Sequence, residues 1–589
     1  NEKYYLPHDG TPTTTVAGLG AVSSTLRSQF TKETTLFNDF RIDWKRQFGG
    51  HFVNVLGGFR MSSFSYNNSN MVGYNNDQDK MPNMSMSLQY KEAGGTSDKW
   101  VNLAYYLNAD YNYQNKYFLN IGTTMEASSR FGKEASEGIK FAGVKWGLFP
   151  SVQLGWLMSS EKWFNVKGID YLKLTAGYEE SGNDNVDYYA ARTYFRNLRF
   201  MKEATALKLA NIQNPTIQWE TNHRFNVGLQ TNLLNNRLAL GVEYFYGKTT
   251  NLLTRKPVSD ITGLPYMWAN DGALKNSGVE ANVNAVLVNT RNWKWDAGFS
   301  VGHYKNEITE LPDGSLNYIT TYALDANGNK DLSTAKTIHG YTSSIYGKNN
   351  ILTAVGSAAG VFYGYQTAGV FASDAEAKAA GLKYPTGLVQ NPYRDFKAGD
   401  VRFVDQNGDG WISEADMVQI GDPNPDIYGN IFTNLTWKNL TLSLDFKYSL
   451  GNDIYNYQRS QLESANGIYN QTAAVVNRWK YNGQVTDMPR TMASTSEEWV
   501  NNERFSDRWI EDGSYLKLKK VRLTYKFPVN LSWLQGLSVY GEATNLFTVT
   551  NYLGNDPEVS AGNSVLYQGI DTGMLPKNRS FNLGVTINL

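Results

Sequence analysis

Apolar and polar residues alternate with a period of two along much of the chain. Between Phe225 and Leu233, the positions Phe225, Val227, Leu229 and Leu233 stand apart from Asn226, Gly228, Gln230 and Asn232. Beyond Asn235-Asn236, the residues Leu238, Leu240, Val242, Tyr244 and Tyr246 stand apart from Ala239, Gly241, Glu243 and Gly247, with Phe245 the exception. Successive strand residues point to opposite faces, so the pattern predicts two strands with one apolar face each. A two-residue turn at Asn235-Asn236 pairs Leu233 with Leu238, Leu229 with Val242, Val227 with Tyr244 and Phe225 with Tyr246, all on one side.

The construction recurs. Around Lys438-Asn439, Ile431, Thr433, Leu435 and Trp437 meet Leu440, Leu442, Leu444 and Phe446. A three-residue loop over Gln114 to Lys116 keeps Tyr111 in phase with Leu119, and Gly49-Gly50 and Thr290 to Asn292 mark further short turns. The phase slips at Lys519-Lys520, which predicts a bulge. Phe581, Leu583, Val585, Ile587 and Leu589 alternate with Asn582, Gly584, Thr586 and Asn588 to the last residue, resembling the C-terminal insertion signal of outer-membrane barrels apart from its final Leu.

Much longer polar segments separate the hairpins, at about 65–99, 181–215, 305–425, 451–512 and 550–579. Short turns at one rim and long loops at the other are the asymmetry of a transmembrane antiparallel β-barrel. Soluble sandwiches alternate too, but the strands expected here run to roughly 10–14 residues against about 5–6 in soluble sheets. Tyr and Trp near the strand ends suit the membrane interfaces.

Composition agrees. The 589 residues hold 55 Lys+Arg against 55 Asp+Glu, which removes the positive field expected of a nucleic-acid binder. With no Cys there is no disulfide, thiol nucleophile or Cys metal site. No apolar run approaches the ~18 residues of a membrane helix. The 14% aromatic content beside 19% charged residues is what a chain with one lipid-facing and one polar face requires. The start at Asn1, without Met or signal peptide, reads as a processed or fragment end.

One motif carries chemistry. Asp405, Asn407 and Asp409 place side-chain oxygens at positions one, three and five, Gly410 stands at six, and Asp416 at twelve, the spacing of an EF-hand-type calcium loop. Trp411 would add its carbonyl and Ser413 a direct or water-mediated contact. The other reading is an Asx-rich turn without metal. Asp in place of Glu at twelve shortens the reach. His8, His51, His223, His303 and His339 are scattered, and no nucleophile elbow, Walker loop or HExxH supports catalysis, so no enzyme is expected. Tyr341, Tyr346, Tyr363, Tyr365, Tyr455 and Tyr457 are candidates for stacking on cargo, with ordinary loop packing or lid contact as the alternative for each.

Taken in order, several blocks from about Leu103 onward resemble the SusC/RagA family of TonB-dependent outer-membrane transporters of Bacteroidetes. They are Tyr117-Phe118-Leu119 leading to Phe149-Pro150-Ser151 and Gly155-Trp156, Asn214-Pro215 with Trp219-Glu220, Asn276 to Glu280, and Gly360 to Gly369. Gly399-Asp400-Val401 running into Asp405 to Gly410, Gly421-Asp422-Pro423 with Pro425 and Tyr428-Gly429-Asn430, and Arg478-Trp479 with Pro489-Arg490 follow. Asp512 to Leu516, Tyr525 to Pro528 and Asn545-Leu546-Phe547 complete the series. The resemblance implies a large barrel in outer-membrane lipid, an internal plug worked by TonB, a SusD-like surface lipoprotein acting as a lid, and oligosaccharide or peptide cargo.

About 15 strands are expected from Leu36 onward, against about twenty-two in a plugged transporter barrel. Residues 1–34 then read as the remnant of an extracellular loop and 35–589 as the C-terminal part of the barrel, with a long extracellular excursion at 307–426 carrying the calcium-type loop 405–416. The plug and the first strands are expected on a companion polypeptide or a differently numbered segment. The expected function is import across the outer membrane; the alternatives are a structural or assembly component built on such a barrel without active transport, and an outer-membrane hydrolase, which would need a Ser/His/acid cluster at the rim.

Overall fold

Long antiparallel strands dominate, because an extended backbone satisfies its N–H and C=O groups only by pairing with a neighbour. The computed structural model describes residues 2–6, 14–16, 20–22, 24–76, 80, 83–84, 90–200, 204–264, 266–314, 317–347, 350–388, 391–464, 466–467, 469–529, 531 and 533–588. His8 and Leu589 lie outside these. Strands of nine or more residues are β1 Thr25–Phe48, β2 His51–Tyr74, β3 Tyr90–Tyr113, β4 Tyr117–Ser128, β5 Val144–Leu157, β6 Ile169–Asn183, β7 Glu220–Leu233 and β8 Leu238–Thr250. They continue with β9 Ala273–Asn289, β10 Trp293–Glu310, β11 Ile427–Trp437, β12 Leu440–Leu450, β13 Tyr515–Phe527, β14 Gly536–Thr550 and β15 Ser580–Asn588. No helix among the described residues is long and apolar enough to cross a membrane.

The chain groups into two compact units, one of residues 1–154, 178–222 and 251–270, the other of 155–177, 223–250 and 271–589. In the first, β1, β2, β3 and β4 pair in sequence, with Phe48 opposite His51 across Gly49-Gly50 and Tyr113 opposite Tyr117 across the three-residue turn. Two expectations are corrected here. The segment 1–34 is not simply loop, since β1 begins at Thr25 and Glu2–Leu6 pairs along it. The 65–99 loop shrinks as well, because β2 runs to Tyr74 and β3 starts at Tyr90.

These strands reach 24 residues, not 10–14, roughly 80 Å at about 3.3 Å per residue. That far exceeds the apolar band of about 25 Å. Beyond the band no lipid enforces alternation, and polar side chains take over: Ser97 donates to Asn67 at 2.7 Å and Asn68 to Thr31 at 3.0 Å. Alternation therefore marks the lipid-facing length of a strand and misses its extension. Segment 181–215 carries its own hairpin, Tyr194–Phe200 with Ala204–Asn211, beside a small core of Val186, Ile217 and Trp268.

In the second unit, β7 through β15 pair in chain order. Trp437 stands opposite Leu440, Leu435 opposite Leu442 and Ile431 opposite Phe446, as the alternation requires. The turn between β7 and β8 takes four residues instead of two, Leu234 to Arg237, because Leu234, Asn235 and Asn236 all adopt left-handed φ near 58°. The bulge falls at Lys519, since Lys520 pairs with Asp445 and Leu518 with Phe446.

Aromatic rings repeatedly cover a directly paired glycine. Tyr106 faces Gly58, Phe245 faces Gly278, Tyr428 faces Gly302 and Tyr540 faces Gly584, and in each pair a Cβ on the glycine would fall within 3 Å of the ring. The ring replaces the side chain the glycine lacks and fixes register. Tyr428 then donates to Glu280 at 2.9 Å, and Arg522 lies 3.7 Å above the Tyr540 ring.

The segments between these strands are not loose loops. Strand β10 ends at Glu310 and β11 starts at Ile427, so the expected excursion of 307–426 is 311–426. It holds a five-stranded sheet of Tyr318–Thr321, Lys336–Ser343, Ile351–Ala354, Val361–Tyr365 and Met417–Gly421, and a short helix, α1 Asp374–Ala380, capped by Ser373 and Gly381. One core joins Phe371, Phe396, Phe403 and Ile412 to Val500. A second joins Ile351 and Phe362 to Tyr455, Phe505, Trp509 and Ile570, so segments 311–426, 451–514 and 551–579 fold as one assembly.

Ion pairs tie that assembly to the strands. Lys517 on β13 reaches Asp556 at 2.9 Å and Glu558 at 2.5 Å, and Lys447 on β12 reaches Glu558 at 2.5 Å. Burial alone would push the Glu558 carboxyl up, but bonds from Lys447 and Lys517 outweigh it and hold the group well below the usual carboxylate range. A carboxylate depressed in the folded state stabilises fully above its unfolded pKa, and that contribution drains away as pH falls below it.

Two outcomes are expected. Gly302→Val should lower the stability of the folded chain by about 1–3 kcal/mol through overpacking, and a double-mutant cycle with Tyr428→Ala should recover most of it, measured by thermal unfolding in detergent. Protease protection of segment 551–579 should be constant above about pH 5 and fall as pH drops below about 4.3; Glu558→Gln should be weaker at neutral pH and lose that acid-dependent step.

Candidate functional site

The paired strands present two chemically different faces. On one, Phe225, Val227, Leu229, Val242, Tyr244, Ile431, Leu523, Leu583 and Val585 are exposed apolar residues. Solvent-exposed apolar bands of this extent mark contact with lipid or protein. On the other face Ser300 donates to Asn430 at 2.7 Å and Asn226 to Glu243 at 3.4 Å. Near the short turn at Lys438, Trp293 and Trp437 pack with ring centroids 6.1 Å apart and the Lys438 ammonium lies 5.4 Å over Trp437, an arrangement suited to a membrane interface.

At the opposite strand ends the folded assembly is locked by buried charge. Asp400 is fully buried and receives a bidentate bond from Arg490 at 2.7 and 2.9 Å and a third from Asn502 at 3.0 Å. Arg459, on the helix α2 Tyr457–Leu462, binds Glu463 at 3.0 Å and Glu511 at 2.5 Å. Such pairs fix geometry more than they add stability. Apart from Glu463, four positions after Arg459, their partners lie about 50 to 100 positions apart and did not stand out in the sequence; Gly399-Asp400 and Pro489-Arg490 were visible only as blocks of the resemblance.

The structure separates the six tyrosines. Tyr455, 1% exposed, and Tyr363, 7% exposed, are core residues, and Tyr365 packs on Phe403 beside the Arg504 guanidinium. Tyr455 and Tyr363 hold the assembly together and are closed to cargo, whereas the half-buried Tyr365 also lines a cavity of the assembly. Tyr346 and Tyr457 pack on each other at 5.5 Å against the second core. Only Tyr341, 37% exposed, presents an open ring.

The segment 405–416 folds as a wrapped turn. Asp405 accepts the amides of Gly408 and Gly410 at 2.7 and 2.8 Å, Asp409 those of Trp411 at 2.8 Å and Leu324 at 2.7 Å, and Asn407 that of Asp409 at 3.0 Å. Asp416 accepts Gln406 and Ser413 at 2.9 and 2.8 Å, and Ser413 caps the following turn. Burial pushes the Asp416 carboxyl up to about 6, against those amide bonds, and the charges of Asp405 and Asp409 add to the rise. Among the described residues no three His, Asp or Glu side chains converge as a metal-ligand set.

The described histidines are equally dispersed. His51 meets Tyr111 at 2.8 Å, His303 the Asp426 carbonyl at 2.6 Å, His339 stacks on Tyr318 at 4.5 Å, and His223 meets Thr250 at 3.5 Å. Cavities sit on the polar face and in the assembly. One of about 860 Å³ is lined by Tyr304, Tyr428, Lys447 and Lys520, and one of about 560 Å³ by Tyr365, Tyr384 and Arg504.

Comparison with known proteins accounts for this arrangement. The profile of the family described as "TonB dependent receptor-like, beta-barrel" matches residues 2–384. "TonB-dependent receptor P3" of Formosa agariphila is 28% identical over 98% of this chain and 54% of that protein. "TonB-dependent receptor SusC" of Bacteroides thetaiotaomicron is 26% identical over 82% of this chain and 43% of that protein. The chain thus spans about half the length of the curated relatives it matches. Among solved structures, that of the RagAB peptide transporter superposes with a TM-score of 0.72 at 21% identity, over 96% of this chain and 56% of the other. The two-faced strands, the short turns and the long folded segments are those of an outer-membrane receptor wall, and the chain belongs to the TonB-dependent receptor-like β-barrel family, a family of transporters and receptors rather than enzymes.

Proposed function

We propose that this chain forms the wall and mouth of an importer that carries oligosaccharides or peptides across the outer membrane, with a SusD-like surface lipoprotein docking on the assembly of segments 311–426, 451–514 and 551–579. The observation that carries this reading is that the long segments share two cores instead of hanging as separate loops. A rigid platform can seat a lid in one geometry, whereas independent loops would have to be ordered at each closure. Apolar side chains left open on it, Leu575 at 93%, Val485 at 89% and Leu553 at 73% exposure, supply docking contacts. The platform then faces the cell exterior, and TonB acts through a plug inside the barrel. The solved RagAB structure is that of a peptide transporter, which supports the peptide class of cargo.

A calcium ion is the second part of the proposal, held by Asp405, Asn407, Asp409, the Trp411 carbonyl, Ser413 and Asp416. The spacing supports it. The raised Asp416 carboxyl supports it further: burial drives the rise and the Asp405 and Asp409 charges add to it, and a divalent cation would favour the ionised form. The amide bonds of the wrapped turn give the loop its shape without the ion, so calcium would add stability and not create the fold.

Leu575→Asp with Val485→Asp should cut co-purification of the surface lipoprotein at least tenfold while leaving protease protection of the platform unchanged, and should abolish uptake of the cargo by whole cells. Normal lid capture without any uptake in the unmodified receptor would favour the scaffold reading instead. Calcium should raise the melting temperature of the platform by several degrees over a chelator-treated sample, and Asp405→Ala with Asp409→Ala should remove that difference; an identical melting temperature with and without calcium would leave a metal-free Asx turn.

A further inference from the structure

One buried cation of the platform, Arg504, has no ion-pair partner among the described residues. It is 7% exposed. Its guanidinium lies 4.4 Å from the ring centre of Phe403, 4.8 Å from Tyr365 and 5.1 Å from Tyr384. Backbone carbonyls take part of its donor set: Asn501 from Nε at 3.1 Å, Val500 from Nη2 at 2.6 Å and Ile412 from Nη1 at 3.5 Å. A guanidinium has five donors, so three carbonyl bonds and a side-chain bond to Tyr365 leave one to spare. Carbonyls and rings also do not neutralise it, and an isolated buried charge is costly unless an anion joins it.

Arg504 also lines the cavity of about 560 Å³ described above, whose walls come from the platform. Tyr365 and Tyr384 give that cavity flat apolar faces, and Thr320, Thr321 and Thr386 give it hydroxyls. Its charged lining residues are Arg504, Lys330 and Glu414, two cations against one carboxylate. A buried guanidinium beside aromatic faces and hydroxyls matches a ring that carries both hydroxyls and a carboxylate, since hydrogen bonds from a charged guanidinium to a carboxylate are strong and sugar faces stack on aromatic rings. The volume suits one or two sugar residues, within the ~300–1,000 Å³ range of small-ligand sites.

We propose that this cavity is a recognition site for a uronic acid residue of an acidic oligosaccharide, with Arg504 holding the carboxylate, the Tyr365 and Tyr384 rings flanking the sugar, and Lys330 at the rim attracting the charge. This narrows the cargo of the importer read above and rests on that reading only for its transport role, because binding is measurable without transport. The recognised group is buried in the platform itself, so it does not depend on the lid.

The test is calorimetric titration of the full-length receptor in detergent with digalacturonate, a neutral galactose disaccharide, and a short peptide with a free C-terminal carboxylate. Digalacturonate should bind at least tenfold more tightly than the other two. Arg504→Met should weaken it at least tenfold. Since Arg504 is buried and its loss could disturb the platform, Lys330→Ala provides the independent check, as an exposed residue whose removal should weaken digalacturonate several-fold with unchanged thermal unfolding. No binding of digalacturonate, equal binding of the neutral disaccharide, tighter binding of the peptide, or full affinity in both variants would each overturn the proposal. Retained uronate binding in a receptor that fails to transport would instead sink the importer reading and leave the site standing.

Discussion

A backbone amide or carbonyl in hydrocarbon has no water to bond, and every other feature of this chain follows from meeting that constraint with strands. An antiparallel ladder satisfies all of them only if each strand has neighbours on both sides, and its two faces then meet different surroundings. One face must be apolar at every second residue, while the other is free to carry Ser300, Asn430 and the Glu280–Tyr428 pair. Glycine on the polar face brings neighbouring strands close, and the ring of Tyr428 or Tyr540 laid over it restores the packing that the missing side chain removes. In the TonB-dependent receptor family this ladder is the barrel wall, and the chain supplies a large share of such a wall.

Where the strands leave the lipid, the constraint relaxes and the chain uses different physics. Strands β1, β2 and β3 continue as polar ladders far beyond the apolar band. Between β10 and β15, segments widely separated in sequence bury Ile351, Phe362, Tyr455, Phe505 and Ile570 together and so behave like a soluble domain set on the strand ends. Asp400 with Arg490, and Lys517 with Asp556 and Glu558, fix how the segments meet each other and the strands.

Legibility follows that division. Within the apolar band each residue's environment is set by its parity, so the register around Lys438, the slip at Lys519 and the turn at Gly49-Gly50 could be read one residue at a time. The four-residue turn after Leu233 could not, because three consecutive left-handed residues leave no trace in alternation. Platform residues obey no local period: Tyr455 looks like any exposed loop tyrosine until Phe362 and Phe505 arrive from elsewhere in the chain. The Asp405–Asp416 spacing was legible as a loop, and its oxygens prove to be bonded to amides of that same loop and of Leu324. Arg504 carried no signal at all, since a lone arginine announces neither its burial nor that carbonyls and rings, and no carboxylate among the described residues, surround it.

Three segments far apart in sequence form one platform, and the docking surface depends on that union. Hydrogen exchange of the receptor in lipid nanodiscs, followed by mass spectrometry, measures this directly. Buried amides in 311–426, 451–514 and 551–579 should be protected and should open with a common free energy, so that destabilising one core speeds exchange in all three. Exchange that is fast throughout, or that responds segment by segment, would contradict a shared platform and the rigid docking surface inferred from it.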